Sequence, residues 1–411
     1  MNDPAPRSDP SPRYTPSFKY VLMLGALAAL PAITTDIYLP SLPTVATDLG
    51  ASTAAAQMTM SGMLIGGAVG QLFIGPFSDR FGRRLPVLIG ITLHVITSLL
   101  CSIAPNIETL IGLRVVQGFF NAAASVVAIA VIRDRFTGSE AARLLSRLML
   151  VIGVAPLFAP TLGQAIAGQW QWRAVFWALA LIGLVLLTIV WRFLPESLPP
   201  GRRRVTGPRG ALTGYLGLLR DRHFLALAVL PGLGMAVIMS YVVGSPFVLQ
   251  TEYGLSEGQF AVVFAMNGVA LVLSAQLNAY LVRKVAPIRI LRVAIIGQLL
   301  FAVTLLVIIV TGFGGVVGVV AGLWLVLGMQ GMIPANATVL ALGRYGHMAG
   351  TAAALIGAMQ SGIAGVVSPF VGLLGGTAVA MSSVMIAAIT IGVTILAVAT
   401  PAYRRGGWLE Q

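Results

Sequence analysis

Long apolar stretches recur along the chain, and short polar or basic segments separate them. Each stretch has about 20 residues or more, which as an α-helix is long enough to cross a hydrocarbon core of about 30 Å. Backbone groups in lipid must be paired within their own segment, so the stretches are predicted to be membrane-spanning helices. The twelve predicted spans are 18–41, 55–77, 86–104, 108–132, 143–168, 172–194, 223–249, 257–281, 288–310, 314–338, 348–373 and 377–400.

The composition agrees with this pattern. Of the 411 residues, 57% are hydrophobic and 9% are charged, whereas a soluble domain is roughly 25% charged. The chain is therefore predicted to be an all-α polytopic membrane protein. Residues 1–17, rich in Pro, Ser and Asp, are predicted to form a disordered cytoplasmic N-terminus, and residues 401–411 a cytoplasmic tail. A single cysteine and three scattered histidines predict no metal site, and we expect no cofactor.

The basic residues predict the orientation. Apart from Arg114 and Arg173, the 26 Lys and Arg residues lie in the N-terminal segment, in the C-terminal tail, or in loops and span ends that share one side. Positive charge marks the cytoplasmic side, so both termini are expected there. The net charge of +13 then reflects topology and contact with anionic membrane lipid, and nucleic-acid binding is not expected.

The spans divide into two halves of matched length. Residues 18–194 hold six spans, residues 223–400 hold six more, and the polar segment 195–222 is predicted to be a cytoplasmic linker. Two such halves are typical of transporters, whose transport path lies between them near the middle of the membrane. A channel or a membrane enzyme has no comparable need for two equal halves.

The loop after the second span reads "GPFSDRFGRR", residues 75–84. It resembles the signature loop of the major facilitator superfamily, which implies that superfamily's twelve-helix fold and a gating role for the loop. The matching residues are Gly75, Asp79, Arg80, Gly82, Arg83 and Arg84. Gly82 permits a tight turn, and Asp79 can meet a helix N-terminus or a basic partner as a latch on the cytoplasmic gate. The alternative is a basic loop that only sets topology.

The fourth span carries "RVVQGFFNA", residues 114–122, which resembles a second superfamily motif through Arg114, Gln117 and Gly118. Arg114 lies about 9 Å of helix rise inside Glu108, and Asp36 lies about 8 Å inside Ser41. The two charges are therefore predicted to lie at similar depth on neighbouring helices and to form a functional pair, although equal depth does not establish contact. An arginine at the periplasmic interface is the alternative interpretation of Arg114.

Asp36 is the only one of the thirteen acidic residues predicted to lie inside the membrane. Burial favours the neutral form of a carboxyl group and a nearby arginine favours the ionised form, so Asp36 is balanced to bind and release a proton. The competing interpretation is a structural aspartate held in a salt bridge.

The fifth span reads "VIGVAPLFAPTLGQAIAG", residues 151–168, and partly resembles the antiporter motif of drug exporters. Its Pro156, Pro160 and Gly163 weaken backbone bonding and permit close packing, and simple helix packing is the alternative. The stretches "TTDIYLPSLP" and "SPFV" resemble the bicyclomycin-resistance (Bcr/CflA) group of drug–proton antiporters. That resemblance implies proton-coupled efflux of lipophilic small molecules and antibiotics by alternating access, with Asp36 as the proton site.

A substrate cavity between the halves is expected to be apolar and aromatic with scattered polar groups. The candidate lining residues are Tyr38, Gln57, Ser61, Gln117, Asn121, Met235, Met239, Tyr241, Asn267, Gln330 and Gln360. Substrate, protons and membrane lipid are the expected partners of a monomeric transporter in the bacterial plasma membrane. A narrow phenicol or metabolite exporter and a proton-coupled importer remain alternatives. A membrane-embedded enzyme would need more clustered titratable groups than Asp36 and Arg114.

Overall fold

Every regular element in the part of the chain that the computed structural model describes, residues 18–136, 138–203, 208–345 and 348–399, is a helix. The predictions for residues 1–17 and 401–411 lie outside the described residues. Each of the twelve predicted spans overlaps at least one helix, so the all-helical membrane architecture is confirmed. Eleven described helical segments are long and apolar enough to cross a membrane, and α6, of 33 residues, covers the predicted span 143–168.

The first half contains α1 (Phe18–Asp36), α2 (Leu42–Asp48), α3 (Thr53–Phe81), α4 (Arg84–Ser102), α5 (Ile107–Arg135), α6 (Gly138–Trp170) and α7 (Arg173–Phe193). The segment 195–222 contains α8 (Pro208–Arg220), and the second half contains α9 (Arg222–Pro246), α10 (Glu257–Leu281), α11 (Pro287–Thr311), α12 (Gly315–Gln330), α13 (Ile333–Leu342), α14 (Ala349–Val367), α15 (Phe370–Leu373) and α16 (Ala378–Ala399). We call the end of the bundle where α3 and α5 begin the outer end, and the end that carries the basic loops the inner end.

Four predicted spans are interrupted, and one of them, the eleventh, divides into α14 and α15 at Ser368 and Pro369. The first was expected to run to residue 41, but α1 ends at Asp36 and a 3₁₀ turn, Leu39–Ser41, leads into α2. Pro40 and Pro43 are the second residues of the two following helical segments, where a backbone N–H would have no partner within the helix. The tenth span divides into α12 and α13 at Gly331, where an added Cβ would lie 2.8 Å from the Leu271 carbonyl oxygen. The seventh passes from α9 into a π-helix, Phe247–Glu252.

Helix starts at the outer end are capped by side chains. Ser52 accepts a hydrogen bond from the Ala55 backbone N–H, and Asn106 accepts one from that of Thr109. Ser256 and Gln259 form a reciprocal capping box at the start of α10. Such caps satisfy backbone donors that have no partner inside the helix, so these residues fix where the membrane helices begin.

Glycines bring α3 and α5 into close contact. Gly66 and Gly70 lie one turn apart on α3, and an added Cβ at either position would overlap a backbone carbonyl oxygen of α5. Gly118 of α5 in turn faces α3, because an added Cβ there would overlap the Met63 carbonyl oxygen. Small residues at such crossings let membrane helices approach until their backbones touch. The helix that carries Arg114 is therefore held rigidly against α3.

The two halves meet at the outer end and also along α3 and α14 toward the inner end, where Gln71 donates to Ser361 at 3.2 Å. Gln57 of α3 donates to the Val243 carbonyl of α9 at 3.1 Å, and Ser61 lies 3.1 Å from Ser368 (Oγ to Oγ). One continuous buried apolar core joins outer residues of both halves, including Tyr38 and Phe247, whereas a second core belongs to the inner end of the first half alone. We call the contacts of Gln57 with Val243 and of Ser61 with Ser368 the outer seal. A charged centre of the first half lies beneath this seal.

Candidate functional site

Asp36 occupies the last residue of α1, next to the outer seal. Its side chain is 5% exposed, and among the described residues no hydrogen-bond donor or basic group is bonded to its carboxylate. Every other buried charged side chain in the described part of the chain is an arginine. A buried carboxylate without a fixed partner can change its protonation state without breaking a structural ion pair.

Arg114 is fully buried one helix away. Its Nη1 donates to Gln117 Oε1 at 2.7 Å, and both terminal nitrogens lie 3.5 Å from the Thr34 carbonyl oxygen. The guanidinium also lies over the rings of Tyr38 and Phe176, 5.1 and 5.8 Å from their centroids. The arginine is thus solvated by carbonyl dipoles and aromatic faces, and it meets α1 two residues before Asp36 without pairing with it.

A chain of hydrogen bonds extends from Arg114 into α4. Gln117 Nε2 donates to Ser98 Oγ at 2.8 Å, and Ser98 donates to the His94 carbonyl at 2.7 Å. The predicted motif residue Gln117 therefore orients Arg114 and ties it to the neighbouring helix. Sequence reasoning missed Thr34, Ser98 and Phe176, because hydroxyl and aromatic residues inside an apolar span carry no distinctive pattern.

Gly163 connects α6 to the end of α1. An added Cβ at Gly163 would overlap the carbonyl oxygen of Ile37, the residue that follows Asp36. Pro160, one turn earlier on α6, is buried, and the side chain of Pro156 lies outside the described residues. The predicted antiporter-motif glycine therefore packs directly against the backbone beside the buried carboxylate.

The other candidate lining residues do not form one cluster. Tyr38 and Gln117 surround Arg114, whereas Gln57 and Ser61 form the contacts between the halves. Asn267 donates to the Tyr241 hydroxyl at 3.1 Å, and Tyr241 stacks on Phe264. Gln330 accepts from Gln298 at 2.7 Å inside the second half. Asn121 and Met239 are buried, and Met235 and Gln360 are half-buried. The cavity assignment stays a prediction.

A network of charges fixes the inner end of the first half. Arg83 Nη1 lies 2.6 Å from Asp79, and Arg83 Nε lies 2.8 Å from Asp134 at the end of α5. Arg83 also donates to Ser78 at 2.7 Å. The basic partner expected for Asp79 is thus Arg83 of the same loop, and all three partners belong to the first half. Asp79 itself is 38% exposed and free to make a further contact.

Glu196, at the start of the linker, completes this network. Its carboxylate accepts hydrogen bonds from the backbone N–H groups of Arg83, Arg84 and Leu198 at 2.8, 3.2 and 2.9 Å. Burial alone would raise the pKa of Glu196, but the three N–H donors and the nearby Arg203 lower it below its usual value. The carboxylate thereby caps α4, whose first residues have unpaired N–H groups.

The turn at Gly82 explains why this loop requires glycine. Gly82 has a φ of 93°, which disfavours other residues, and an added Cβ would overlap the Glu196 carboxylate. The loop of residues 75–84 and the start of the linker at Glu196 therefore pack directly against each other. Sequence reasoning placed Glu196 in a polar linker and missed this role, because the α4 backbone groups that it caps are more than a hundred residues away.

The arrangement of helices and motifs can be compared with known proteins. The sequence profile of the Major Facilitator Superfamily matches residues 24–369. This chain belongs to the major facilitator superfamily. Its members are membrane transporters, so the prediction of a transporter and not an enzyme is confirmed.

Relatives within the superfamily cover most of the chain. The uncharacterized MFS-type transporter YdgK of Bacillus subtilis is 36% identical over 90% of this chain and 92% of its own length. The bicyclomycin resistance protein homolog of Haemophilus influenzae is 31% identical over 86% and 88%. The multidrug resistance protein MdtL of Escherichia coli is 33% identical over 61% and 63%. The resemblance to the drug–proton antiporter group of the superfamily is thereby confirmed.

Solved structures support the fold. A bacterial homologue of the lysosomal transporter Spinster superposes with a TM-score of 0.75 over 95% of this chain and 98% of its own, at 14% identity. A D-xylose-proton symporter superposes with a TM-score of 0.70 over 92% and 97%, at 19% identity. At these identities the likeness concerns the major facilitator fold alone.

Proposed function

We propose that this superfamily member exports lipophilic small molecules, including antibiotics, from bacteria in exchange for protons, with Asp36 as the proton site. The protein would lie in the inner membrane with both termini in the cytoplasm. The observation that carries the proposal is that Asp36 is the one buried carboxylate among the described residues and lacks a fixed partner there. A buried ionisable group inside a transporter is most often part of an ion or proton pathway.

Proton coupling requires that proton and substrate favour different states. When Asp36 is ionised, its charge beside the outer seal and the guanidinium of Arg114 give the first half a polar centre. When a proton arrives from outside, that charge disappears and the interactions holding a substrate change. Because a ligand shifts a conformational equilibrium only by its differential affinity for the two states, proton binding at Asp36 would release the substrate and favour return to the inward-facing state.

The side chains of the second half and the names of the relatives both support a lipophilic substrate. In the described part of the second half, the buried polar groups are amides and hydroxyls apart from Arg292. Tyr241, which accepts a hydrogen bond from Asn267, stacks on Phe264, and Met239 of the same helix is also buried. Aromatic and methionine side chains suit varied lipophilic ligands. Two relatives carry names of bicyclomycin and multidrug resistance, so antibiotics are the class to test first.

The direction of transport tests the proposal. In everted membrane vesicles with an acidic interior, from a host without its own exporters, bicyclomycin or another lipophilic antibiotic should accumulate inside and dissipate the pH gradient. Vesicles without the protein are the control. If a preloaded substrate instead leaves the vesicles when the interior is acidified, the protein is a proton-coupled importer and the proposal is wrong.

Gly163→Ala is expected to reduce transport strongly. The added methyl group would overlap the Ile37 carbonyl, and overpacking of this kind forces backbone shifts that cost roughly 1–3 kcal/mol. Such a shift would displace the end of α1 beside Asp36. Gly168→Ala is a matched control on the same helix, since nothing lies within 4 Å of its added Cβ. Vesicle transport at equal protein amounts provides the measurement, and equal rates for both variants would contradict the packing argument.

Asp79→Asn is expected to slow export while leaving insertion and the amount of folded protein unchanged. Of the two acids that bind Arg83, Asp79 is more exposed than Asp134. In the Asp79→Asn protein, Asp134 and Ser78 still hold that arginine. A latch contact made when the inner end closes would be lost. Arg133→Gln, at an exposed position near the inner end of α5, is the control for a change of surface charge. Transport by purified, reconstituted Asp79→Asn at the wild-type rate would show that the latch interpretation is wrong.

A further inference from the structure

The linker helix α8 exposes an apolar stripe that the transport mechanism does not use. Leu212, Leu216 and Leu219 are 56%, 45% and 42% exposed. At about 100° per residue these positions fall within roughly 60° of one another around the helix. Three exposed leucines on one side of a 13-residue helix are unexpected on a surface that faces water.

The remaining residues divide the helix into two more faces. Gly214, Tyr215 and Leu218 form the side that packs on the bundle, with Gly214 against Met348 and Thr351 and with Leu218 buried. Arg220, Thr213 and Gly217 are exposed on a third side. The helix thus has one side for protein, one apolar side without a described protein partner, and one polar side. This three-sided pattern is typical of a helix lying at a membrane interface.

The contacts of Tyr215 place α8 at the correct level. Its hydroxyl donates to the Leu72 carbonyl of α3 at 3.3 Å. Leu72 lies 19 residues after Thr53 at the outer start of α3, or about 28 Å of helix rise, close to the thickness of a hydrocarbon core of about 30 Å. Tyr215 is therefore at the inner boundary of the bilayer, where tyrosine is favoured, and α8 lies beside α3.

The charge around the stripe identifies the lipid. The sequence of α8, PRGALTGYLGLLR, contains two arginines and no acidic residue. Arg220 at its C-terminal end and Arg222 at the start of α9 are both exposed. The nearby Asp221 is engaged with the N-terminus of α9. Each arginine held near an anionic membrane surface strengthens the attraction of its segment to that surface about fivefold.

We propose that α8 is an interfacial helix that binds anionic phospholipid of the cytoplasmic leaflet, with its leucine stripe among the acyl chains and Arg220 and Arg222 at the headgroups. Because α8 contacts α3 of the first half and α14 of the second, lipid bound there lies against the inner ends of both halves.

Fluorescence quenching tests this placement. In a Cys101→Ala background that still exports, Leu216→Cys and Gly217→Cys each carry an environment-sensitive dye. An added Cβ at Gly217 meets nothing within 4 Å, so this site is the matched control on the polar side. In phosphatidylcholine vesicles, spin-labelled phosphatidylglycerol should quench the dye at residue 216 at least twofold more than the dye at residue 217. At residue 216, quenching by spin-labelled phosphatidylglycerol should also be at least twofold stronger than quenching by spin-labelled phosphatidylcholine at the same mole fraction.

The charge contribution is separated by a second pair of variants. In the Leu216→Cys protein, Arg220→Gln with Arg222→Gln should remove the preference for phosphatidylglycerol, and the two lysine substitutions should retain it. Equal quenching at residues 216 and 217 would overturn the interfacial placement. Strong quenching at residue 216 without any preference for phosphatidylglycerol, or a preference unchanged in the glutamine variant, would overturn the headgroup assignment.

Discussion

Proteoliposomes containing Asp36→Asn are expected to show no substrate accumulation in response to an imposed pH gradient. Asparagine fills nearly the same space as a protonated aspartate but cannot release a proton. The variant should therefore keep its fold and retain substrate binding and pH-independent substrate exchange. Asp36 is the one buried carboxylate among the described residues, so no second buried acid there can replace it.

Stoichiometry sharpens the test. With one proton site, at most one proton is exchanged per substrate. Export of a neutral substrate then moves one charge inward per cycle and responds to membrane potential by about 2.3 kcal/mol per 100 mV, whereas export of a monovalent cation responds only to the pH gradient. Wild-type vesicles with separately imposed potential and pH gradients distinguish the two cases.

The control for Asp36→Asn is Glu108→Gln, an exposed acid in the first turn of α5 at the same end of the bundle. Its loss should leave proton-driven transport near the wild-type rate. Two protons per substrate, or proton-driven accumulation that persists in Asp36→Asn, would show that another group carries the proton.

The sequence predicted those features that depend on local pattern. The apolar spans follow from the requirement to satisfy the backbone in lipid, and the loop of residues 75–84 was recognisable because six of its positions match a known motif. Helix rise also indicated the level of Arg114, which meets α1 at Thr34, within one turn of Asp36, whereas the functional pairing of the two residues stays a prediction.

The features that sequence reasoning missed depend on contacts between distant segments. Depth could not show that Arg114 is held by Gln117 and aromatic rings and does not pair with Asp36. The cap that Glu196 provides for α4 joins segments 113 residues apart. Helix α8 was missed because its apolar positions are too few to form a span, and only its packing against α3 and α14 distinguishes it from a polar loop.

Arg114→Ala is expected to abolish transport and to lower stability. The substitution removes the donor to Gln117 and the positive group near the Thr34 carbonyl, and each buried acceptor left unpaired costs about 1–3 kcal/mol. It also leaves a cavity over the rings of Tyr38 and Phe176. Thermal unfolding in detergent measures the stability, and proton-driven uptake in vesicles measures the transport.

Arg114→Lys separates the charge from the geometry of the side chain. Lysine keeps a positive charge but lacks the planar fork that faces both Gln117 and Thr34, so we expect a folded protein with reduced transport.

A positive charge nearby favours the ionised form of Asp36. Loss of that charge in Arg114→Ala should therefore let protonation displace the substrate at higher pH than in the wild type, whereas Arg114→Lys should shift the profile less. Substrate binding measured across pH on protein that remains folded provides the decisive result. If the profile of Arg114→Ala coincides with that of the wild type, Arg114 and Asp36 are not coupled, and Arg114 serves only to join α5 to α1 and α4.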